Sequence, residues 1–106
     1  MIIFFLLIVL NASIHSCSKK INPKDKIIEN KAYMNCIELE GPLNLSQEVV
    51  KIGDYSFCGC INLKGLLIIP HKTETIGAHA FENCTSLTGS LTIPSSVISI
   101  GEKAFY

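Results

Sequence analysis

The sequence contains no arginine and no tryptophan, and charged residues make up only 17% of its 106 residues. Nine lysines balance nine aspartate and glutamate residues, so the formal net charge is zero. A nucleic-acid-binding protein needs a positively charged surface, and attachment to anionic lipid by charge alone needs a basic cluster. The composition therefore argues against both classes of protein. Apolar residues recur along the whole chain, which argues against wholesale disorder.

The sequence also lacks a hydrophobic run long enough to cross a bilayer. Residues 2–10 are all apolar, but a membrane-spanning helix needs about 20 such residues. A short apolar run followed by small and polar residues is typical of a secretory signal. We interpret residues 1–18 as such a signal, cleaved before Lys19, and residues 19–27 as a linker. This interpretation predicts an extracellular or cell-surface location.

Cys17 allows a second interpretation of the N-terminus. The stretch Ile14-His15-Ser16-Cys17 loosely resembles a bacterial lipoprotein cleavage box, although His15 departs from that pattern. In such a box the cysteine becomes the lipidated N-terminal residue. A lipid on Cys17 would anchor the chain to a membrane without spanning it. Free secretion and lipid anchoring both stay open.

An internal repeat with a period of 24 residues dominates the rest of the chain. Ile52-Gly53 recurs as Ile76-Gly77 and again as Ile100-Gly101. The same spacing relates further apolar, Gly, Pro and Cys positions: Phe57, Phe81 and Phe105; Cys60 and Cys84; Leu63 and Leu87; Gly65 and Gly89; Leu67 and Leu91; Ile69 and Ile93; Pro70 and Pro94. This period is typical of leucine-rich repeats, whose units stack to share one core.

The repeat divides the chain from residue 28 onward into four parts. The units are a degenerate, cap-like copy at 28–51, two good copies at 52–75 and 76–99, and a partial unit at 100–106. The departures in the first copy are polar, as expected of a terminal cap. The partial unit has no such polar cap, so Phe105 and Tyr106 are expected to leave the other end open.

Alternating apolar residues predict where each unit forms a strand. Residues 67–69 and 91–93 fit short strands whose first and third side chains face the core. Ile68 and Thr92 then point outward. A proline follows each segment and is expected to end the strand, because proline cannot donate a backbone hydrogen bond. A second short extended segment is expected before Gly101.

The remainder of each unit is expected to turn back along the opposite side. Residues 54–60 and 78–84 fit single helical or 3₁₀ turns whose phenylalanine fills the core. The glycine of each Ile-Gly pair is expected to supply a turn with permissive backbone angles. The predicted fold is therefore a leucine-rich repeat solenoid, of the α/β type or mostly β.

The run from Ile76 to Pro94 is similar to the repeat of BspA-like leucine-rich repeat proteins, which are surface and secreted proteins of anaerobic bacteria and some parasitic protists. The signature is Ile-Gly, two residues, Ala-Phe, two residues, Cys, two residues, Leu, and later Leu-x-Ile-Pro. Residues 52–70 match with Ser56 in place of alanine, and residues 28–46 match weakly. The resemblance covers residues 28–106. It implies a curved solenoid with a parallel sheet on the concave side, displayed at the cell surface, that binds host, matrix or other cell-surface proteins.

The cysteines fall into two groups. Cys36, Cys60 and Cys84 occupy one repeat position, and we interpret them as a ladder of small buried side chains. A disulfide between neighbouring members is within reach of stacked strands, but side chains in a ladder point in parallel. Cys58 has no counterpart in the repeat, so it is interpreted as a surface thiol or as the partner of an unidentified cysteine.

No set of residues points to catalysis or to a cofactor. The sequence has no Gly-x-Ser-x-Gly elbow, no glycine-rich phosphate loop and no His-Glu-x-x-His motif. A metal site formed by Cys58, Cys60, His71 and His79 would lack the second ligand pair of structural zinc, so we predict no metal. Both histidines lie at variable repeat positions and are expected to be solvated.

These observations predict a non-catalytic protein-interaction module, adhesin-like, with no nucleic-acid partner. Outward positions such as Ile68 and Thr92 mark where a binding surface is expected in a solenoid, but no individual binding residue is assigned. The alternative is a structural capping or assembly fragment of a longer solenoid. In that case the open end would associate with another chain end to end.

Overall fold

A computed structural model describes Cys17 and residues 20–106. It contains a four-stranded parallel sheet in the order β1-β2-β3-β4, formed by β1 (Ile27–Ile28), β2 (Lys51–Ile52), β3 (Thr75–Ile76) and β4 (Ser99–Ile100). Each pairing joins residues 24 positions apart, such as Ile28 with Ile52 and Ile52 with Ile76. The parallel sheet expected from the sequence is therefore present. We call residues 28–51, 52–75, 76–99 and 100–106 coils 1 to 4.

The core consists of equivalent side chains from successive coils. Ile28, Ile52 and Ile76 are at most 2% exposed. On the other side of the core, Tyr33 and the phenylalanines of coils 2 to 4 form a continuous ring stack with centroid distances of 5.1, 5.2 and 5.7 Å. Because no coil has enough apolar surface to form a core alone, this stacking holds the sheet together.

The strands do not lie where the apolar alternation predicted them. Residues 67–69 and 91–93 form no strand, and the nearest backbone pairings are isolated bridges such as Gly65 with Leu87. The alternation nevertheless predicted burial in coil 2 correctly, since Leu67 and its second neighbour are buried while Ile68 is 62% exposed. Burial and backbone pairing thus separate here, and the pairing lies at the Ile-Gly pairs. The segment expected before Gly101 is β4.

The predicted helical or 3₁₀ turns at 54–60 and 78–84 are absent, because the described residues contain no helix and these segments form other turns. Tyr55 has a left-handed φ of 57°, which interrupts a right-handed helix. Alternate N–H groups donate to the next coil, as the Phe57 N–H does to the Ala80 carbonyl at 2.8 Å. These donors are therefore used between coils and not within a helix.

The glycines of the Ile-Gly pairs serve a different purpose from the one predicted. Gly53 and Gly77 do not have left-handed φ angles. A Cβ atom at Gly77 would lie 2.5 Å from the backbone nitrogen of Asp54, and one at Gly53 would lie 2.6 Å from that of Asn30. Glycine is required at these positions because adjacent coils approach too closely for a side chain. The prediction of permissive turn angles there was wrong.

A segment before β1 covers the outer face of coil 1. Ile21 packs against the core, and the Tyr33 hydroxyl donates to the Lys20 carbonyl at 3.2 Å. Cys17 forms a disulfide with Cys36, with a Cα–Cα distance of 5.1 Å. The segment predicted as a linker, 19–27, supplies the first residue of β1. Apart from Cys17, the predicted signal lies outside the described residues.

Candidate interaction surface

An exposed surface runs across coils 1 to 3 on the side of the predicted outward positions. We call it the outer strip, and its six exposed residues are Pro42, Asn44, Leu66, Ile68, Ser90 and Thr92. Leu66 is 47% exposed and Ile68 is 62% exposed. Both border a shallow groove of about 350 Å³ that Ser90 and Thr92 also line. The outward orientation predicted for Ile68 and Thr92 is confirmed.

The outer strip changes character along the stack because its side chains differ between coils. The first position is proline, leucine and then serine, and the second is asparagine, isoleucine and then threonine. The two apolar side chains therefore lie together in coil 2, with polar side chains in coil 3 and at the second position in coil 1. None of the six residues carries a charge. An apolar centre with a largely polar margin is the usual composition of a protein-binding patch.

A second group of side chains lies on coils 2 and 3, near the turns. The rings of Tyr55 and His79 stack with centroids 4.5 Å apart, and His79 Nδ1 lies 2.5 Å from Glu82 Oε2. His79 is thus half-buried and paired, and the prediction of a solvated side chain was wrong for it, whereas His71 is exposed. The 24-residue relation between Tyr55 and His79 could have revealed this stack.

The thiol nearest to this group is not prepared for nucleophilic chemistry. Burial, and then the nearby Glu82 carboxylate, raise the pKa of Cys58. A cysteine nucleophile needs the opposite shift, because the thiolate is the reactive form. The three His/Cys/Asp/Glu side chains also do not form a cation site, since MET-type clusters of three or more such ligands are not found among the described residues.

The cysteine ladder is only partly as predicted. Cys60 and Cys84 are free thiols, and each donates a hydrogen bond of 3.0 Å to a carbonyl of the preceding coil, that of Tyr33 and that of Phe57 respectively. Burial raises the pKa of Cys60 to about 11 and that of Cys84 to about 12. Cys36 differs because its sulfur is bonded to Cys17. The sequence gave no reason to pair those two cysteines.

The end of the stack formed by coil 4 is a third surface. Ile100 is 47% exposed and Phe105 is 36% exposed, although the equivalent residues of coils 2 and 3 are buried. Phe105 also borders a depression of about 180 Å³ lined by Phe81, Leu87 and Leu91. We call this surface the open face. Its exposure was expected from the sequence.

Within Cys17 and residues 20–106, no helix has the length and apolarity needed to cross a membrane.

No curated protein and no solved structure matches the chain. The family model described as the BspA type leucine rich repeat region (6 copies) matches residues 26–106. That match covers the four strands, the aromatic stack, the outer strip and the open face. The chain therefore belongs to the family of BspA-type leucine-rich repeat proteins, whose repeat regions are protein-interaction modules.

Proposed function

We propose that this chain is a non-catalytic interaction module at the cell surface or outside the cell, built as a solenoid of 24-residue units and used for adhesion. BspA-type leucine-rich repeat proteins are typically surface or secreted proteins in bacteria. The N-terminal apolar run, which fits a secretory signal, supports the same location. The observation that carries the proposal is the exposed apolar pair of Leu66 and Ile68 at the centre of the outer strip.

The chemistry of the outer strip favours a protein partner. Leu66 and Ile68 are close enough to be covered together by one apolar side chain, and Ser90 and Thr92 beside them can form hydrogen bonds. Because the strip carries no charged residue, binding through it depends on apolar burial and shape. We therefore expect its affinity to vary little with salt concentration. A partner from the extracellular matrix or from another cell surface fits this description.

The test is a binding assay with the full chain secreted from an oxidising host. Binding to immobilised matrix proteins and to cultured cells is compared for the unchanged chain, Leu66→Glu with Ile68→Glu, and Ile61→Glu. Ile61 is a matched control because it is 45% exposed on the same coil but lies outside the strip. We expect at least a tenfold loss for the strip variant, corresponding to about 1.4 kcal/mol, and no loss for Ile61→Glu. Equal binding by all three chains contradicts the proposal.

The open face favours a second candidate function, that of a capping or assembly unit that associates end to end with another chain. Exposed large apolar side chains concentrate there: Leu91, Ile93, Ile98, Ile100, Phe105 and Tyr106. A contiguous apolar face of this kind marks an interaction site. A concentration-dependent increase in mass supports this candidate, and binding to matrix by a monomer supports the first.

A further inference from the structure

Coil 4 exposes the same core positions that earlier coils bury. Ile100 is 47% exposed, whereas Ile52 and Ile76 are at most 1% exposed. Phe105 is 36% exposed, whereas Phe81 is 3% exposed. The difference arises because each earlier coil is covered on this side by the next one. Coil 4 thus presents a surface whose pattern already packs against a protein backbone elsewhere in the same molecule.

The backbone at the open face also has unused hydrogen-bonding groups. The Ile76 carbonyl accepts from the Gly101 N–H at 2.8 Å, but among the described residues no donor reaches the Ile100 carbonyl. The Phe81 N–H donates to the Ala104 carbonyl at 2.7 Å, but no described acceptor faces the Phe105 N–H. Strand β4 contains no lysine or proline that would discourage pairing at its edge. Such an edge is a template for another strand.

The other end of the stack is closed. In coil 1, Ile28 is 2% exposed and Tyr33 is fully buried. Ile21 and Lys20 contact this coil, and the disulfide joins it to Cys17. A second copy therefore cannot place its open face on this end without displacing the segment that covers it. Each chain has one open apolar face, so association between copies favours a closed pair over a filament.

We propose that the open face binds the open face of a second copy of this chain, with the two β4 strands antiparallel about a two-fold axis. The proposal rests on the second candidate function and names its partner. The pairing extends the four-stranded sheet to eight strands and covers Ile100 and Phe105 of both chains. The depression lined by Phe81, Leu87 and Leu91 then receives an aromatic side chain of the other copy.

The charges near the open face are compatible with this arrangement. Glu102 and Lys103 are adjacent and exposed, and antiparallel pairing brings each close to the opposite charge of the other copy. No charged residue lies on β4 itself. A two-fold contact therefore does not oppose like charges at its centre, which would weaken it.

The experiment is sedimentation velocity of the full chain, secreted from an oxidising host, over a wide range of protein concentration. We expect a monomer–dimer equilibrium with no larger species. Ile100→Glu is expected to shift the dimer dissociation constant upward by at least a hundredfold. The matched control is Ile68→Glu, which introduces the same charge at an exposed isoleucine of the outer strip and should leave the dimer intact.

A second measurement guards against misfolding of Ile100→Glu. Ser99 is exposed on β4, and Ser99→Cys places two thiols near the two-fold axis. We expect a covalent dimer under mild oxidation from Ser99→Cys, and none from Thr92→Cys on the outer strip or from the unchanged chain. Equal crosslinking by these three chains overturns the proposal.

Two further results overturn it and identify another occupant. A monomer at every concentration that binds a synthetic copy of residues 83–99 shows that the open face takes a following coil. Species larger than a dimer show head-to-tail addition. Either result leaves the adhesion assay on the outer strip unaffected, since that assay uses a different surface and different variants.

Discussion

Ser56 is completely buried, and its hydroxyl group has no hydrogen-bond partner in the described part of the chain. A buried hydroxyl without a partner costs about 1–3 kcal/mol. The equivalent positions of coils 1, 3 and 4 are Ala32, Ala80 and Ala104, so a methyl group fits this part of the core. We expect Ser56→Ala to raise the free energy of unfolding in urea by about 1 kcal/mol.

Ser46 provides the matched control for that substitution. It is also buried, but its hydroxyl accepts a hydrogen bond of 3.1 Å from the Glu48 N–H. Ser46→Ala removes this acceptor and should lower the free energy of unfolding by about 1 kcal/mol. If both substitutions destabilise the chain equally, the Ser56 hydroxyl has a partner and the explanation is wrong.

The glycines show how far single residues could be understood from the sequence. The recurrence of Gly53 and Gly77 predicted that glycine is required at this position of each unit. The reason could not be predicted, because a Cβ at Gly77 would strike Asp54, a residue of the preceding coil's far turn that only the stacking brings near. The actual left-handed glycines, such as Gly65 and Gly89, have φ angles of 79° and 86°.

At the scale of elements, the repeat predicted packing better than conformation. The period identified the aromatic stack, since Phe57 and Phe81 are exactly one unit apart and both are buried. It did not reveal the conformation of the turns that carry them. A helix and the observed turn place the ring similarly, but they differ in whether N–H groups such as that of Phe57 bond within the turn or to the next coil. That choice depends on the neighbouring coil and not on the local sequence.

The cysteine ladder predicts that stability falls in alkaline solution. Burial raises the pKa of Cys60 from 9.0 to about 11 and that of Cys84 from 9.0 to about 12. Above the ordinary pKa, the unfolded chain loses protons that the folded chain keeps, so the free energy of unfolding falls as pH rises. Below that value both states keep their protons and the effect vanishes. We expect urea unfolding curves to show this decline from pH about 9 upward.

Replacing the thiols separates their contribution from that of other alkaline groups. Cys60→Ala and Cys84→Ala remove one ionisable group each and should make the decline less steep. Cys58→Ala is the control from the same turn region, and its effect should be the smaller because only a modest part of that side chain's surroundings is apolar core. An unchanged slope in Cys60→Ala contradicts the assigned origin.

At the scale of the whole molecule, the two ends of the stack differ. The sequence predicted an open end at Phe105, and Phe105 is exposed. It predicted a cap from the polar departures of residues 28–51, but the covering contacts come from Ile21, Lys20 and Cys17. These residues occur once and have no counterpart in the repeat. A periodic pattern therefore could not reveal them.

The Cys17–Cys36 disulfide excludes two of the predicted fates of the N-terminus. Cleavage before Lys19 would remove Cys17, and lipidation would occupy its sulfur, so neither can coexist with this bond. We expect peptide mapping of the secreted chain without reduction to recover Cys17 joined to Cys36. Because the bond closes a loop with a sequence separation of 19, Cys36→Ser should lower the free energy of unfolding by about 3 kcal/mol.

Cys58→Ser is the control for this last substitution, since Cys58 is a free thiol outside the ladder, and a change within about 0.5 kcal/mol is expected. The intact mass of the secreted chain distinguishes the three fates directly. A chain that begins at Lys19 contradicts the disulfide and supports the secretory signal as predicted. A chain that begins at a lipid-modified Cys17 also contradicts the disulfide, and it leaves coil 1 covered only by the contacts of Ile21 and Lys20.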